Sequence, residues 1–338
     1  MYIKDNIQLF RAFTFSRLIN IFKLYVSFIF SRITKKPLIL GTPFALSIEP
    51  TTACNLGCPE CPSGLKQFSR KTGNLNPDLN KKIIDELKNN LTYINYYFQG
   101  EPFINRNLFE MINYANSNNI YSSTSTNGHF LTDENCKKTI ESGLQRLIIS
   151  IDGVDQKSYE NYRKNGDFSK VITGTENIIN WKKKLNSHTP HIIFQFLVVK
   201  TNEHLIEEIK SLSNNLGVNE LRIKTAQFYE FENGNSLMPN NGKYSRYKLN
   251  KHGKYVLKNK LYNHCWRMWS SAVVTVNAEV VPCCFDKDAI NKIGNLKTEK
   301  FKTIWKSKAY NKFRGLILNG RKEIEICKNC SEGSKVWA

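Results

Sequence analysis

The sequence predicts an α/β protein: an open, partial (β/α)6 TIM-like barrel followed by a smaller C-terminal domain that carries cysteines. Three observations point there. Six short runs rich in β-branched and aromatic residues recur between Phe44 and Gln227, with helical patterns between them. Polar and glycine-containing motifs stand at the ends of those runs, where parallel α/β folds gather their ligands. Beyond Gln227 the rhythm stops, and cysteines bracket a hairpin-like stretch.

Residues 1–42 form a basic, helix-prone extension, "FRAFTFSRLINIFKLYVSFIFSRITKK" at its centre. The apolar stretch Leu18–Phe30 is interrupted by Lys23, has no small-residue cleavage site, and falls short of the roughly 20 residues that cross a bilayer. Two placements follow: along an anionic membrane surface as an interfacial helix, or with its apolar side packed on the neighbouring domain. The core, 43–235, opens with "FALSIEPT" and continues through "INYYFQG", "YSSTSTNG", "RLIISIDG", "HIIFQFLVVK" and "ELRIKTAQ" as strands. In "PDLNKKIIDELKNN" Ile83, Ile84 and Leu87 recur at helical spacing, and "NRNLFEMINYANSNN" reads as a second helix. Alternating strands and helices imply a parallel sheet with right-handed crossovers. After Gln227, "FENGNSLMPNNGKYSRYK" reads as an Asn/Gly-rich linker leading into the domain at 236–338, with Tyr244, Arg246 and Tyr247 as linker residues in preference to lining a substrate pocket. A hairpin turning at Asn277–Ala278 follows, then a helix over Phe301–Phe313 and a terminal "CKNC".

The formal charge of +20 is uneven: residues 1–40 hold seven Lys/Arg against one acid, 41–240 hold 21 of each sign, and 241–338 hold 21 Lys/Arg against seven acids. Basic ends either attract phosphates, nucleotides, acidic peptides or anionic lipid, or form a solvated Lys-rich surface. Nothing points to sequence-specific nucleic-acid binding. Nine cysteines in a long chain without a signal segment suit metal ligands in a reducing cytoplasm better than disulfides.

Cys54-x3-Cys58-x2-Cys61 follows directly on the first strand. Three thiolates suit an iron–sulfur cluster with one iron left open for a small molecule. Zinc would want a fourth ligand, and no His lies within sixty residues of the loop. This loop, with "QGEP" at 99–102, "STNG" at 125–128 and "SIDG" at 150–153, resembles the radical S-adenosylmethionine (SAM) superfamily. The resemblance implies a 4Fe–4S cluster on Cys54, Cys58 and Cys61. It also implies SAM chelating the open iron, reductive cleavage to a 5′-deoxyadenosyl radical, and hydrogen abstraction from substrate. It implies SAM contacts at Gly100, Glu101, Asn127, Ser150 and Arg163. Read from the residues alone, Glu101 is equally a helix-start acid and Arg163 equally a solvated helix residue. Gln99 replaces the family's first Gly, and its Gly-rich adenine motif is not visible in "FQFLVVKTN".

Cys265, Cys283, Cys327 and Cys330 form a second set that can close a cluster completely. The pattern, with "CWRMW", "VVPCCFD" and "IGNL", is similar to SPASM and twitch extensions and implies a second, auxiliary 4Fe–4S cluster. A single such cluster, as in the twitch type, is the better match, and a zinc ribbon is the competing reading. The Gly-x4-Cys spacing, counted from Ala278 in place of glycine, selects Cys283 over Cys284. Cys284 and Cys136 then read as buried thiols.

The expected function is radical SAM oxidation or modification of a small polar substrate, sugar- or nucleotide-linked, with the auxiliary cluster accepting an electron. The resemblance further implies a reductase partner such as flavodoxin or ferredoxin. Two alternatives stand beside this. One is a peptide maturase, held back because residues 1–42 are too few for a recognition domain. The other is a non-catalytic iron–sulfur or zinc scaffold, which would have no use for the SAM-type motifs. The expected location is cytoplasmic, with peripheral membrane contact as an option.

Overall fold

In the computed structural model, which describes residues 3–331, the expected alternation is present from β1 to β6. The strands are β1 (Ala45–Ile48), β2 (Tyr93–Asn95), β3 (Tyr121–Thr126), β4 (Arg146–Ser150), β5 (His191–Val198), β6 (Glu220–Thr225), β7 (Tyr247–Leu249), β8 (Tyr255–Leu257), β9 (Ser271–Val274), β10 (Glu279–Val281) and β11 (Gly294–Asn295). Two compact units divide the described chain. The first takes the residues up to Thr52, Phe68–Ser123 and those from Leu261 on; the second takes Ala53–Gln67 and Thr124–Lys260. The division falls inside β3.

In the first unit the strand order is β11-β10-β9-β1-β2-β3. β1 is parallel to both β2 and β9, whereas β10 pairs antiparallel with β9 on one side and β11 on the other. In the second unit β4, β5 and β6 run parallel, with Ser150 at the carboxyl end of β4 opposite Gln195 of β5. Such strands bury both faces, so their sequences run apolar rather than alternating. Ile192, Ile193, Phe194, Phe196 and Val198 are all buried. The connecting helices follow local rules. Asn76 caps the helix Pro77–Leu87 by accepting from the Asp78 N–H at 2.8 Å, and Ile83, Ile84 and Leu87 face inward with Asn80.

The N-terminal extension is α1 (Ile3–Arg11) and α2 (Phe15–Thr34). Phe28 of α2 is fully buried, its ring 5.3 Å from that of Trp266 and 5.4 Å from that of Trp269. The extension therefore packs on the C-terminal region of its own unit. Glu49, at the end of β1, pairs with Arg70 at 2.6 Å with both side chains buried, and also accepts from the Val276 N–H at 3.1 Å.

Three local expectations change. The expected linker runs into β7, which pairs with β8 beyond it as a short antiparallel hairpin, and Tyr247 is drawn inward and stacks on Phe231 at 4.7 Å. The expected helix Phe301–Phe313 is two helices, Phe301–Lys306 and Lys308–Gly320. Ser307 separates them: its backbone is extended, and its side chain accepts from the Tyr310 N–H, capping the second. In the β9–β10 turn the left-handed residue is Ala278 itself, at φ 67°. A Cβ there costs about 1–2 kcal/mol relative to glycine.

Candidate functional site

Cys54, Cys58 and Cys61 lie on one loop of the second unit, Cys58 buried and the other two half-buried. Cys61 caps the one-turn helix Pro62–Leu65, its carbonyl accepting from the Leu65 N–H at 2.9 Å. Gly64 in that turn has no room for a side chain. A Cβ would sit 2.6 Å from the Cys58 nitrogen and 2.7 Å from its carbonyl oxygen. The turn is thus folded back onto Cys58.

Two other segments of the same unit hold the loop. The Gly57 N–H donates to the Lys164 carbonyl at 2.9 Å. Glu60 accepts from the Tyr229 N–H at 3.0 Å and from Asn235 Nδ2 at 3.1 Å. Leu56, Cys58, Tyr162, Val199, Phe228 and Tyr247 share one apolar cluster, with Cys54 and Cys61 packed against it.

Arg163 is no solvated helix residue. It lies in the turn after the helix Gln156–Glu160, with its side chain 16% exposed. Its Nε donates to Asp152 Oδ2 at 2.5 Å, and its Nη1 lies 3.9 Å from Cys58 Sγ. Asp152 is fully buried, and its Oδ1 accepts from the Leu197 N–H at 2.7 Å. One carboxylate therefore ties the end of β4 to β5 and aims a guanidinium at the cluster loop. Burial pushes the Cys58 thiol up, and the Arg163 charge opposes that shift by favouring the thiolate. Asn127 Nδ2 lies 4.0 Å from Cys54 Sγ and donates to Asn55 Oδ1 at 2.8 Å. Cys54, Cys58, Cys61, Asn127 and Arg163 are thus brought together. Ser150 is buried at the end of β4.

Gly100 and Glu101 belong to the first unit. Gly100 adopts φ 72°, which a side chain would strain, and Glu101 is buried with Oε1 accepting from the Phe103 N–H at 3.2 Å. The helix-start role of Glu101 is therefore present.

His129, just after "STNG", accepts the Asp167 N–H on Nε2 at 2.8 Å, so its ring is neutral with the proton on Nδ1 toward Asn127. Burial holds its pKa below the ordinary 6.5, against the charge of Asp167 and with those of Lys170 and Arg163. A depressed histidine contributes stability that is whole above the unfolded-state value and drains as pH falls toward the folded one. Thermal midpoints measured from pH 7.5 downward should therefore fall more steeply below about pH 6.5 for the natural protein than for His129→Gln. Parallel curves would remove the assigned cause.

The second cysteine set lies in the first unit. Cys265, Cys327 and Cys330 are buried, and burial pushes Cys327 up to about 12. Cys283 is pushed well up by its hydrogen bond with Cys284, by burial, and by the charges of Cys284 and Cys265. Cys284 packs against the cluster of Val273, Val281 and Ala289, and Cys136 is buried in the other unit, its pKa near 12 through burial. Arg321, 1% exposed, donates to the His264 carbonyl at 2.7 Å and reaches Cys330 Sγ at 3.5 Å, with Cys265 and Cys327 also in its field.

The residues fit iron–sulfur cubes. A thiolate-ligated cube is anionic and is tuned by donors around its sulfurs. Each cysteine set has one buried or near-buried guanidinium, Arg163 or Arg321, within sulfur hydrogen-bond range. Among the described residues no three His, Cys, Asp or Glu side chains close around a single ion position. Sequence reasoning missed Asp152, Glu60 and Arg321. Asp152 stands inside the quoted "SIDG" and Glu60 between two of the cysteines, whereas no local signal marks Arg321.

Residues 48–194 match the Radical SAM superfamily, and residues 265–331 match the SPASM iron–sulfur cluster-binding domain. The chain belongs to the radical SAM superfamily and carries a C-terminal SPASM domain. It is an enzyme with a SAM-binding 4Fe–4S cluster, SAM and auxiliary iron–sulfur. It is 33% identical over 137 residues to the AdoMet-dependent heme synthase of Methanosarcina barkeri, spanning 40% of this chain and only 39% of that protein. It is 25% identical over 315 residues to the tungsten-containing aldehyde ferredoxin oxidoreductase cofactor-modifying protein of Pyrococcus furiosus, covering 85% and 86% of the two chains. To the PqqA peptide cyclase of Bradyrhizobium diazoefficiens it is 24% identical over 322 residues, covering 86% and 79%. The fold of anSMEcpe, solved with AdoMet and Cp18Cys peptide, superimposes at a TM-score of 0.60 with 18% identity over 86% of each chain.

Proposed function

We propose that the protein is a radical SAM maturase that oxidatively modifies a peptide or a peptide-derived cofactor precursor. The observation that carries this reading is the alignment along more than four fifths of the chain with the peptide cyclase and the cofactor-modifying protein. Bound SAM supplies, on reduction, a 5′-deoxyadenosyl radical able to take a hydrogen atom, and auxiliary iron–sulfur supplies a place for the electron left behind. In this reading Cys54, Cys58 and Cys61 hold the SAM-binding cluster, and Gly100 and Glu101 serve the methionine end of SAM. Asn127 and Ser150 serve its ribose side. Arg163 keeps Cys58 as thiolate and offers its remaining N–H groups to the SAM carboxylate. Cys265, Cys283, Cys327 and Cys330 hold one auxiliary cluster, with Arg321 balancing its charge. A flavodoxin or ferredoxin provides the electron.

The test incubates anaerobically reconstituted protein with SAM, dithionite and synthetic peptides taken from short reading frames beside its gene. Loss of two hydrogens from one peptide, in step with 5′-deoxyadenosine, is the expected result. Consumption of a sugar nucleotide with no peptide altered would return the small-substrate reading.

A further inference from the structure

The helix α2 is inside out. Its inward side carries Arg17, Asn20, Ser27 and Ser31 beside Leu24 and Phe28. Arg17 donates to the carbonyls of Ala12 at 2.7 Å, Lys88 at 2.8 Å and Asn118 at 2.9 Å. Asn20 exchanges two bonds with the Thr42 backbone, at 2.7 and 2.9 Å. Ser27 accepts from the Leu40 N–H at 3.0 Å and Ser31 from the Leu38 N–H at 2.8 Å. The outward side carries Phe15 (81% exposed), Leu18 (50%), Phe22 (66%), Phe30 (54%) and Ile33 (73%). These stand at helical spacing along its whole length, and Phe10 (69%) and Ile7 (46%) extend the surface onto α1. A helix of a water-soluble domain shows the opposite order. Contiguous exposed apolar surface of this extent marks an interaction site.

We propose that α1 and α2 seat the enzyme on an anionic bilayer, lying in the plane of the interface with the apolar side in the acyl boundary. Charge selects this occupant. Arg11 and Lys23 are exposed beside the apolar stripe, and Arg32, Lys35 and Lys36 gather at its end. Asp5, the sole acid in this region, is buried and accepts from the Tyr121 hydroxyl. At the same end a cavity of about 450 Å³ is lined by Arg32, Lys35 and His264 together with Ile29, Ile33 and Tyr262. Cations above an apolar floor are what a lipid phosphate with its first acyl carbons requires. Among the described residues no single helix is long and apolar enough to cross a membrane, and α1 meets α2 at a bend of 95°. With one side of α2 hydrogen-bonded to its own unit, the helix lies on the surface rather than through it.

The test is co-sedimentation of the reconstituted full chain with phosphatidylcholine vesicles, with and without phosphatidylglycerol. Anionic vesicles should bind it about tenfold more tightly or better, and added salt should weaken the binding. Phe22→Ser with Ile33→Ser, and separately Arg32→Gln with Lys35→Gln, should each lower binding by about tenfold or more while 5′-deoxyadenosine release stays unchanged. Absence of binding by the natural chain overturns the proposal, as does binding indifferent to both double variants. A natural dimer that Phe22→Ser with Ile33→Ser splits into monomers also overturns it, because a second copy would then cover the face.

Discussion

Cys58→Ala is expected to abolish 5′-deoxyadenosine release, whereas Cys327→Ala is expected to preserve release and stop formation of modified substrate. The two cysteines belong to separate sets in separate units. Cys58 is one of three thiols on its loop, the one within reach of the Arg163 guanidinium at 3.9 Å. Its removal leaves two ligands for a cube that needs three, and the open iron is lost with the cube. Cys327 neighbours Cys265, Cys330 and Arg321 instead. Iron and sulfide should each fall from about eight per chain to about four in either variant, so metal content alone cannot separate them. Chromatography of deoxyadenosine and mass analysis of the substrate do. Equal loss of cleavage in the two variants would sink the division of labour.

Asp152→Ala should lower the free energy of unfolding by about 3–5 kcal/mol, because it strands the Arg163 charge where water reaches it poorly. Urea denaturation checks this through the midpoint. Asp152→Leu combined with Arg163→Met should recover most of that loss, since no lone charge is left buried. The double variant separates a structural pair from one that tunes the cluster. Loss of a cation beside Cys58 should lower the reduction potential of the cube and slow its reduction by dithionite. A double variant with natural stability and natural potential would leave Arg163 as a structural residue only.

Much of the site was legible because its chemistry is local in sequence. Three thiols within eight positions must share one loop, and "QGEP", "STNG" and "SIDG" announce strand ends wherever the chain folds. Arg163 was legible as a candidate but its partner was not. The separation from Asp152 to Arg163 is eleven residues, and only the return of the helix Gln156–Glu160 sets one against the other. The choice of Cys283 over Cys284 rested on spacing alone; in the fold the two are hydrogen-bonded neighbours, both half-buried, with Cys284 against the apolar cluster of Val273 and Val281.

Strand and helix periodicity and the two cysteine sets are properties of neighbours along the chain, and these the amino-acid order determined unaided. It also determined the excess of positive charge at both ends. Which side of α2 turns inward was decided only in three dimensions, since its Arg17 finds backbone partners seventy and more positions away, at Lys88 and Asn118. The burial of Arg321 beside the C-terminal thiols was decided there too. Hydrogen bonds and charge compensation depend on distance in space, and an unfolded string records only distance along itself.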